Sequence, residues 1–122
     1  MWELTKTFTF EAAHTLHGTT LGEAAEEVHG HSFRAQVTLE GSLDPQTGMV
    51  VDFGTFEAEI AKVRDRLDHK LLNRVDGLGV PTLENLARFI HDHVRSVGRV
   101  TCVTVFRDTC GQACAYRPPV DA

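Results

Sequence analysis

The sequence predicts an α+β fold in which an antiparallel sheet carries two helices on one face. Segments with strand-like alternation stand at both ends of the chain, and two amphipathic segments follow one another between them. Helices grouped between strand pairs favour an antiparallel sheet over a parallel α/β arrangement. The 122 residues suffice for one hydrophobic core, so we expect a single domain over residues 1–122.

The first part of the chain predicts three strands. Residues 2–12 and 31–40 alternate apolar and polar side chains and are rich in aromatic and β-branched types. The loop between them, 17–28, has two glycines and no sustained period. After a polar turn at 41–48, the run 49–53 predicts a short strand that pairs with 31–40 in a hairpin.

The second part predicts two amphipathic helices, over residues 55–67 and 83–97, joined by a loop at 68–81. Two strands, at 100–107 and 113–117, follow them. In both helices, apolar residues recur three or four positions apart and therefore share a face. Thr82 is a favourable N-cap residue directly after Pro81, and Gly98 ends the second helix.

Composition excludes several function classes. With 12 basic and 17 acidic residues, the chain lacks the excess of cations that binding to nucleic-acid phosphates needs. No stretch approaches the ~18–20 apolar residues of a membrane span, and the charged N-terminus is not typical of a signal peptide. We therefore expect a cytoplasmic protein that binds neither nucleic acid nor membrane. Three cysteines, an odd number, indicate thiols rather than a disulfide framework.

His29-Gly30-His31 is the sharpest local feature among the seven histidines. Side chains two apart on a strand point the same way, so both imidazoles can share a metal ion. His14, or His17 on spacing alone, supplies a third ligand. Three protein nitrogens and one open position are what catalytic zinc needs. The pattern indicates a Zn²⁺ site, and the alternative is a pair of surface histidines.

Other polar residues admit two interpretations. His91 and His93 lie on the second predicted helix, where residues two apart diverge, so we expect no shared site there. Asp68-His69 is either an acid–base relay or an ordinary polar loop. Asp108, at the end of a predicted strand, is either a ligand anchor or a turn residue.

Six segments in order resemble the family of 6-pyruvoyl-tetrahydropterin synthases and their bacterial relatives, the 6-carboxy-tetrahydropterin synthases. They are FTFEAAH (8–14), HGHSF (29–33), DPQTGMVVDF (44–53), LDHKLLN (67–73), PTLENLA (81–87) and DTCGQAC (108–114). The resemblance implies the tunnelling fold (T-fold), a four-stranded antiparallel sheet backed by two helices. It further implies an oligomeric barrel, with three subunits closing each barrel and two trimers forming a homohexamer with active sites between subunits.

Matched by position, this resemblance implies the metal and acid–base residues. His14, His29 and His31 correspond to the three zinc ligands. Asp68 and His69 correspond to the catalytic acid–base pair. The cofactor implied is therefore Zn²⁺, and the partner is a small pterin substrate.

The same resemblance implies the substrate-binding residues. Thr82 and Glu84 belong to a segment that contributes to pterin binding across the subunit interface. Asp108 stands where the family has a glutamate that binds the amino-pyrimidine edge. Two carboxylate acceptors match the N–H donors of that edge, and the shorter aspartate requires the ring to lie deeper or to bind through water.

The family's catalytic cysteine is absent, since its place in the carboxy-pterin branch is taken by Ala25. Glu26 stands where a third branch, linked to folate synthesis, uses a glutamate to form 6-hydroxymethyl-dihydropterin. We therefore predict Glu26 as the catalytic base, with Glu23 and Glu27 as alternatives.

The function expected is a zinc-dependent lyase that cleaves or rearranges the side chain of 7,8-dihydroneopterin or its triphosphate, with the hydroxymethyl-forming branch favoured. One alternative is 6-carboxy-tetrahydropterin synthase activity, as in queuosine biosynthesis, without the cysteine. An alternative of another class is a non-catalytic, zinc-containing binder of pterins or purine-like ligands.

Overall fold

The structure, a computed structural model, describes residues 1–16 and 27–120 and has the predicted α+β architecture. Its strands are β1 (Trp2–His14), β2 (His29–Gly41), β3 (Lys70–Leu71), β4 (Arg99–Arg107) and β5 (Gln112–Tyr116), and its helices are α1 (Phe53–Leu67) and α2 (Leu83–Val94). Single 3-10 turns follow β3, α2 and β4. Most of the predicted loop 17–28 lies outside the described residues; Glu27 and Val28 belong to no helix or strand.

The sheet has the order β3-β1-β2-β4-β5. The four longer strands are antiparallel to their neighbours, as predicted, and β3 is a two-residue strand parallel to β1. β1 and β2 pair along their whole length, from Trp2 opposite Gly41 to His14 opposite His29. One end of the sheet therefore gathers the end of β1, the start of β2, β3 and the end of β4.

The predicted strand at 49–53, and with it the hairpin to 31–40, is wrong. β2 lies between β1 and β4, so neither of its edges is free to pair with another strand. Val50 and Val51 instead pack as irregular chain against the core, and Phe53 already begins α1. The apolar character of this run reflects burial without strand pairing, which a five-residue pattern does not distinguish from a strand.

Both helices cover the same face of the sheet. The buried residues of α1 are Phe56, Ile60, Val63 and Leu67, those of α2 include Leu86, Phe89 and Ile90, and they form one cluster with inward residues of the strands. Phe10 and Phe33 stack within this cluster with ring centroids 4.9 Å apart. Among residues 1–16 and 27–120, no helix combines the length and apolar character that membrane crossing requires.

Candidate active site

Three histidines meet where β1 ends and β2 begins. His14 lies directly opposite His29 in the β1–β2 ladder, and His31 follows two residues later on the same face. The Nε2 atom of His14 lies 3.0 Å from Nε2 of His29 and 3.1 Å from Nε2 of His31. The three ligand atoms lie within 4.8 Å of one another. The structure thus brings together the three histidines that the family resemblance implied as ligands.

Backbone carbonyls orient two of the three rings. Nδ1 of His14 donates to the Pro81 carbonyl at 2.9 Å, and Nδ1 of His29 donates to the Glu27 carbonyl at 2.8 Å. A neutral imidazole that donates from Nδ1 keeps a lone pair on Nε2. His14 and His29 therefore direct two lone pairs at each other across 3.0 Å, an arrangement that a cation between them would stabilise.

The histidine triad (His14, His29 and His31) fits zinc in geometry and in charge. Tetrahedral Zn–N bonds of about 2.0–2.1 Å hold ligand nitrogens roughly 3.3 Å apart, close to the observed separations. Burial lowers the pKa of His14, and burial together with the nearby His14 and Arg107 lowers the pKa of His31 to about 4. Both rings are thus neutral near pH 7, the form that binds a metal.

A cleft of about 660 Å³ opens beside the histidine triad. Its lining includes His31 from β2, His69 from the turn after α1, Lys70 from β3 and Thr109 from the turn after β4. This volume is typical of small-molecule sites. One candidate metal ligand and the candidate acid–base histidine therefore face the same space.

His69 is held in an unusual backbone conformation at the edge of this cleft. Its φ of 60° lies in the left-handed region, which residues other than glycine seldom adopt. Its N–H donates to the Glu11 carbonyl at 2.6 Å, while the Glu11 N–H donates to Oδ1 of Asp68 at 2.9 Å. These two bonds fasten the turn to β1 and present the His69 side chain, which is 79% exposed, to the cleft.

The Asp68 carboxylate contacts β1 and Arg64 and does not form a hydrogen bond with His69. Its Oδ2 lies 3.7 Å from His69 Nε2, beyond hydrogen-bond distance, and 3.2 Å from Nη2 of Arg64. The hydrogen bond from the Glu11 N–H, followed by the Arg64 charge, lowers the pKa of Asp68. The side chain therefore stays ionised and holds the turn.

Asp108 is already engaged within the chain. The Arg34 guanidinium donates to both carboxylate oxygens, with Nε–Oδ2 at 2.9 Å and Nη2–Oδ1 at 3.1 Å, and it lies 3.8 Å from the centre of the Phe106 ring. This hydrogen-bonded pair lowers the pKa of Asp108. The sequence alone did not predict the pairing, because it depends on the β2–β4 register that brings Arg34 opposite Phe106.

Thr82 and Glu84 lie at the start of α2. Thr82 is the predicted N-cap, since its Oγ1 accepts the Asn85 N–H at 3.2 Å. Glu84 is exposed in the first helical turn. Neither belongs to the lining of the cleft in the described part of the chain.

The predicted base and its neighbours fall in the undescribed segment 17–26. Glu26, the alternative Glu23, the alternative ligand His17 and Ala25 all lie outside the described residues. Glu27 is described and its side chain is exposed. Its backbone carbonyl orients His29, a contribution that no sequence pattern predicted.

The chain is similar to known proteins in sequence and in fold. A family model described as 6-pyruvoyl tetrahydropterin synthase matches residues 3–119. A 6-carboxy-5,6,7,8-tetrahydropterin synthase from Synechocystis is 35% identical, covering 98% of this chain and 95% of that protein. A dihydroneopterin monophosphate aldolase from Pyrococcus furiosus is 36% identical, covering 70% and 68%. The structure of a Caenorhabditis elegans 6-pyruvoyl tetrahydropterin synthase matches with a TM-score of 0.81 at 27% identity, covering 97% of this chain and 96% of that chain.

Proposed function

Because the chain belongs to the 6-pyruvoyl tetrahydropterin synthase family, whose members are lyases of pterin biosynthesis, we propose that it is a zinc-dependent lyase acting on the side chain of a 7,8-dihydroneopterin derivative. The observation that carries this proposal is the convergence of three Nε2 atoms beside a cleft that also receives His69. Two Nδ1–H groups held by backbone carbonyls point the remaining lone pairs to one centre. Zinc bound by the histidine triad would supply a Lewis acid for the side-chain oxygens of the substrate.

His69 is the proposed acid–base group. An imidazole changes protonation near neutral pH, and this one lines the cleft with most of its ring exposed. The two hydrogen bonds between Glu11 and the Asp68–His69 turn hold its backbone in place, so that the ring enters the cleft from a fixed position. Asp68 acts by holding that turn, and its Oδ2 lies 3.7 Å from Nε2 of the ring.

The ring of the substrate is proposed to bind at Asp108, with Thr82 and Glu84 completing the site from a neighbouring subunit of a homohexamer. Arg34 keeps the Asp108 carboxylate ionised and fixes its plane. Each carboxylate oxygen retains a lone pair for an N–H donor of the pterin. The position of Thr82 and Glu84, outside the cleft lining of one chain, is what an intersubunit site requires.

Within this class we favour formation of 6-hydroxymethyl-dihydropterin with Glu26 as base. No cysteine stands in the segment before His29, since all three occur at or beyond position 102. A carboxylate near a metal centre serves as a base when burial raises its pKa towards neutrality. The similarity to a protein named dihydroneopterin monophosphate aldolase supports this branch.

Formation of 6-carboxy-tetrahydropterin is the second candidate product. A protein named for that activity matches 98% of this chain. This product requires that the reaction proceed without the family's cysteine, using His69 and Asp68 alone. Product analysis separates the two branches directly.

The test is incubation of the zinc-loaded protein with 7,8-dihydroneopterin, its monophosphate and its triphosphate, followed by mass spectrometry of the pterin products. We expect 6-hydroxymethyl-dihydropterin, lost in Glu26→Ala and retained in Glu27→Ala. Glu27 is a matched control, because it is the adjacent carboxylate and only its backbone carbonyl contacts the site.

Two other outcomes would overturn parts of the proposal. A carboxy- or pyruvoyl-pterin product would assign the other branch and remove the role of Glu26. Tight binding of all three ligands without turnover would indicate the non-catalytic pterin binder.

A further inference from the structure

Arg107 ends β4 on the same face of the sheet as the histidine triad. Side chains alternate along a strand, so Arg107 shares the face of the buried residues Val103 and Val105. Arg34 pairs with Phe106 in the β2–β4 ladder. The paired residues end there, and continuing the same register by one step places Arg107 across from Phe33.

His31 is therefore a diagonal neighbour of Arg107. It lies two residues before Phe33 on β2 and shares its face. Diagonal neighbours across an antiparallel pair are about 7–8 Å apart at the backbone, which is within reach of a long side chain. The guanidinium of Arg107 thus belongs to the end of the sheet that carries the candidate metal ligands.

Within the described ranges 1–16 and 27–120, Arg107 forms no ion pair, unlike two other arginines of the sheet. Arg34 pairs with Asp108 and Arg99 pairs with Glu40. Nε of Arg107 is buried, and within residues 1–16 and 27–120 it has no hydrogen-bond partner. A buried charged donor without an acceptor is unfavourable, which indicates that an acceptor from a ligand completes it.

The positive charge of Arg107 lies at the end of the sheet that carries the histidine triad. A guanidinium next to a site for a divalent cation brings two positively charged groups close together, and these repel each other. Such an arrangement is stable when an anionic ligand lies between them.

Two acidic side chains, Asp108 and Glu84, do not fill this role in the described structure. Both oxygens of Asp108 bind Arg34. Glu84 forms no ion pair with Arg107 either. Among residues 1–16 and 27–120, no carboxylate therefore pairs with Arg107, whose guanidinium remains open to an external anion.

We propose that Arg107 is a specificity-determining residue that binds a phosphate ester on the side chain of the substrate, beside the metal centre. Its planar fork of N–H donors matches two phosphate oxygens, which an ammonium group does not. The inference rests on the proposed function, in that the histidine triad takes the oxygens of the same side chain. It assigns the preference for a phosphorylated over an unphosphorylated substrate to one residue.

The test is calorimetric binding of 7,8-dihydroneopterin and of its monophosphate to the zinc-loaded protein, without reliance on turnover. We expect Arg107→Gln to weaken binding of the monophosphate by roughly 10–100-fold and to change binding of dihydroneopterin less than about twofold. Arg107→Lys should recover only part of the loss. Arg99→Gln is the matched control, because it makes the same change on the same strand at the opposite end of the sheet.

Pyrophosphate provides a probe that contains no pterin. If the wild type binds pyrophosphate and Arg107→Gln does not, the inference stands even when neither pterin binds and the proposed function fails. Equal losses for the phosphorylated and unphosphorylated pterins, or unchanged affinity for monophosphate and pyrophosphate in Arg107→Gln, would overturn it. Zinc content and the urea midpoint of each variant establish that the metal centre and the fold are intact.

Discussion

The chain contains the same short pattern, histidine–any residue–histidine, in two regions with opposite outcomes. On β2, His29 and His31 point to one side and meet His14, with Nε2 atoms directed at a common centre. On α2, His91 and His93 point apart and each makes separate contacts. The period of the secondary structure, two on a strand and 3.6 on a helix, decides which pattern can hold a metal.

The two regions also differ in the hydrogen-bond partners of their imidazole nitrogens. In α2, Nδ1 of His93 donates to the Phe89 carbonyl and Nε2 accepts from Arg66, both at 2.8 Å. His91 binds the Asp92 carboxylate through Nδ1 at 2.9 Å. The histidine triad instead has facing lone pairs that no other residue of 1–16 and 27–120 completes. Rings satisfied by their own chain stabilise the fold, whereas rings left incomplete indicate a ligand.

Removal of one ligand should have the largest effect and most directly tests this contrast. We expect His31→Ala to weaken zinc binding by more than about 100-fold, because a direct ligand contributes more than the groups that only orient the ligands, whose loss costs about 10–100-fold. His93→Ala should change zinc affinity less than about twofold. Competition with a chromogenic chelator measures both, and a similar loss in both variants would break the comparison.

In the metal-free protein, a substitution on α2 should lower the stability more than a substitution in the histidine triad. His91 is 3% exposed in its side chain and packs against the Tyr116 ring, with centroids 5.4 Å apart. His91→Ala leaves a cavity and an unpaired Asp92, and should lower the free energy of unfolding by roughly 2 kcal/mol. His31→Ala should lower it by less than about 0.5 kcal/mol, since it relieves crowded lone pairs. Urea unfolding with a chelator present decides between them, and an equal loss would make the histidine triad structural.

The elements of the fold differ in whether the sequence alone predicted them. Periodicity predicted β1, β2, β4, α1 and α2, because each pattern extends over enough residues to distinguish a strand from a helix. It did not predict β3, since two residues carry no period and their pairing with β1 is set by tertiary packing. The strand at 49–53 was wrong because a buried irregular segment has the same composition as a strand.

Some residues of the candidate site were likewise predicted from the sequence, whereas others required the strand pairing. His29 and His31 followed from spacing on one strand, whereas the sequence left His14 and His17 equivalent until the β1–β2 register placed His14 opposite His29. The pairing of Arg34 with Asp108 also depends on register, between β2 and β4. Local pattern therefore predicts which residues share a face, and only strand pairing determines which faces meet.

The two ends of α2 offer a finer comparison, since the start of the helix adjoins the histidine triad and its C-terminal half carries His91 and His93. Thr82→Ala removes the side-chain acceptor of the Asn85 N–H and should lower the free energy of unfolding by about 1 kcal/mol. Thr82→Ser keeps the acceptor and should retain most of the stability. Urea unfolding of both variants checks this, and equal losses would mean that the methyl group, not the cap, stabilises the helix.

The smallest effect concerns Asp68, whose contact with His69 is looser than that of Asp92 with His91. Its pKa is lowered chiefly by the Glu11 N–H, so the folded state keeps the carboxylate ionised below its usual pKa near 3.9. The stability it contributes is therefore present above about pH 4 and is lost as the pH falls through the folded-state pKa. We expect Asp68→Asn to flatten the decline of the urea midpoint between about pH 5 and pH 2.

Salt separates the two causes of that shift. Salt at 1 M, where the Debye length is about 3 Å, weakens the ion pair between Arg64 and Asp68, whose charged atoms lie 3.2 Å apart. Salt acts much less on the 2.9 Å hydrogen bond from the Glu11 N–H. If the backbone hydrogen bond dominates, the difference in urea midpoint between wild type and Asp68→Asn persists in about 1 M NaCl. If the difference vanishes, the ion pair holds the turn, and the rigidity assigned to His69 would depend on a surface charge.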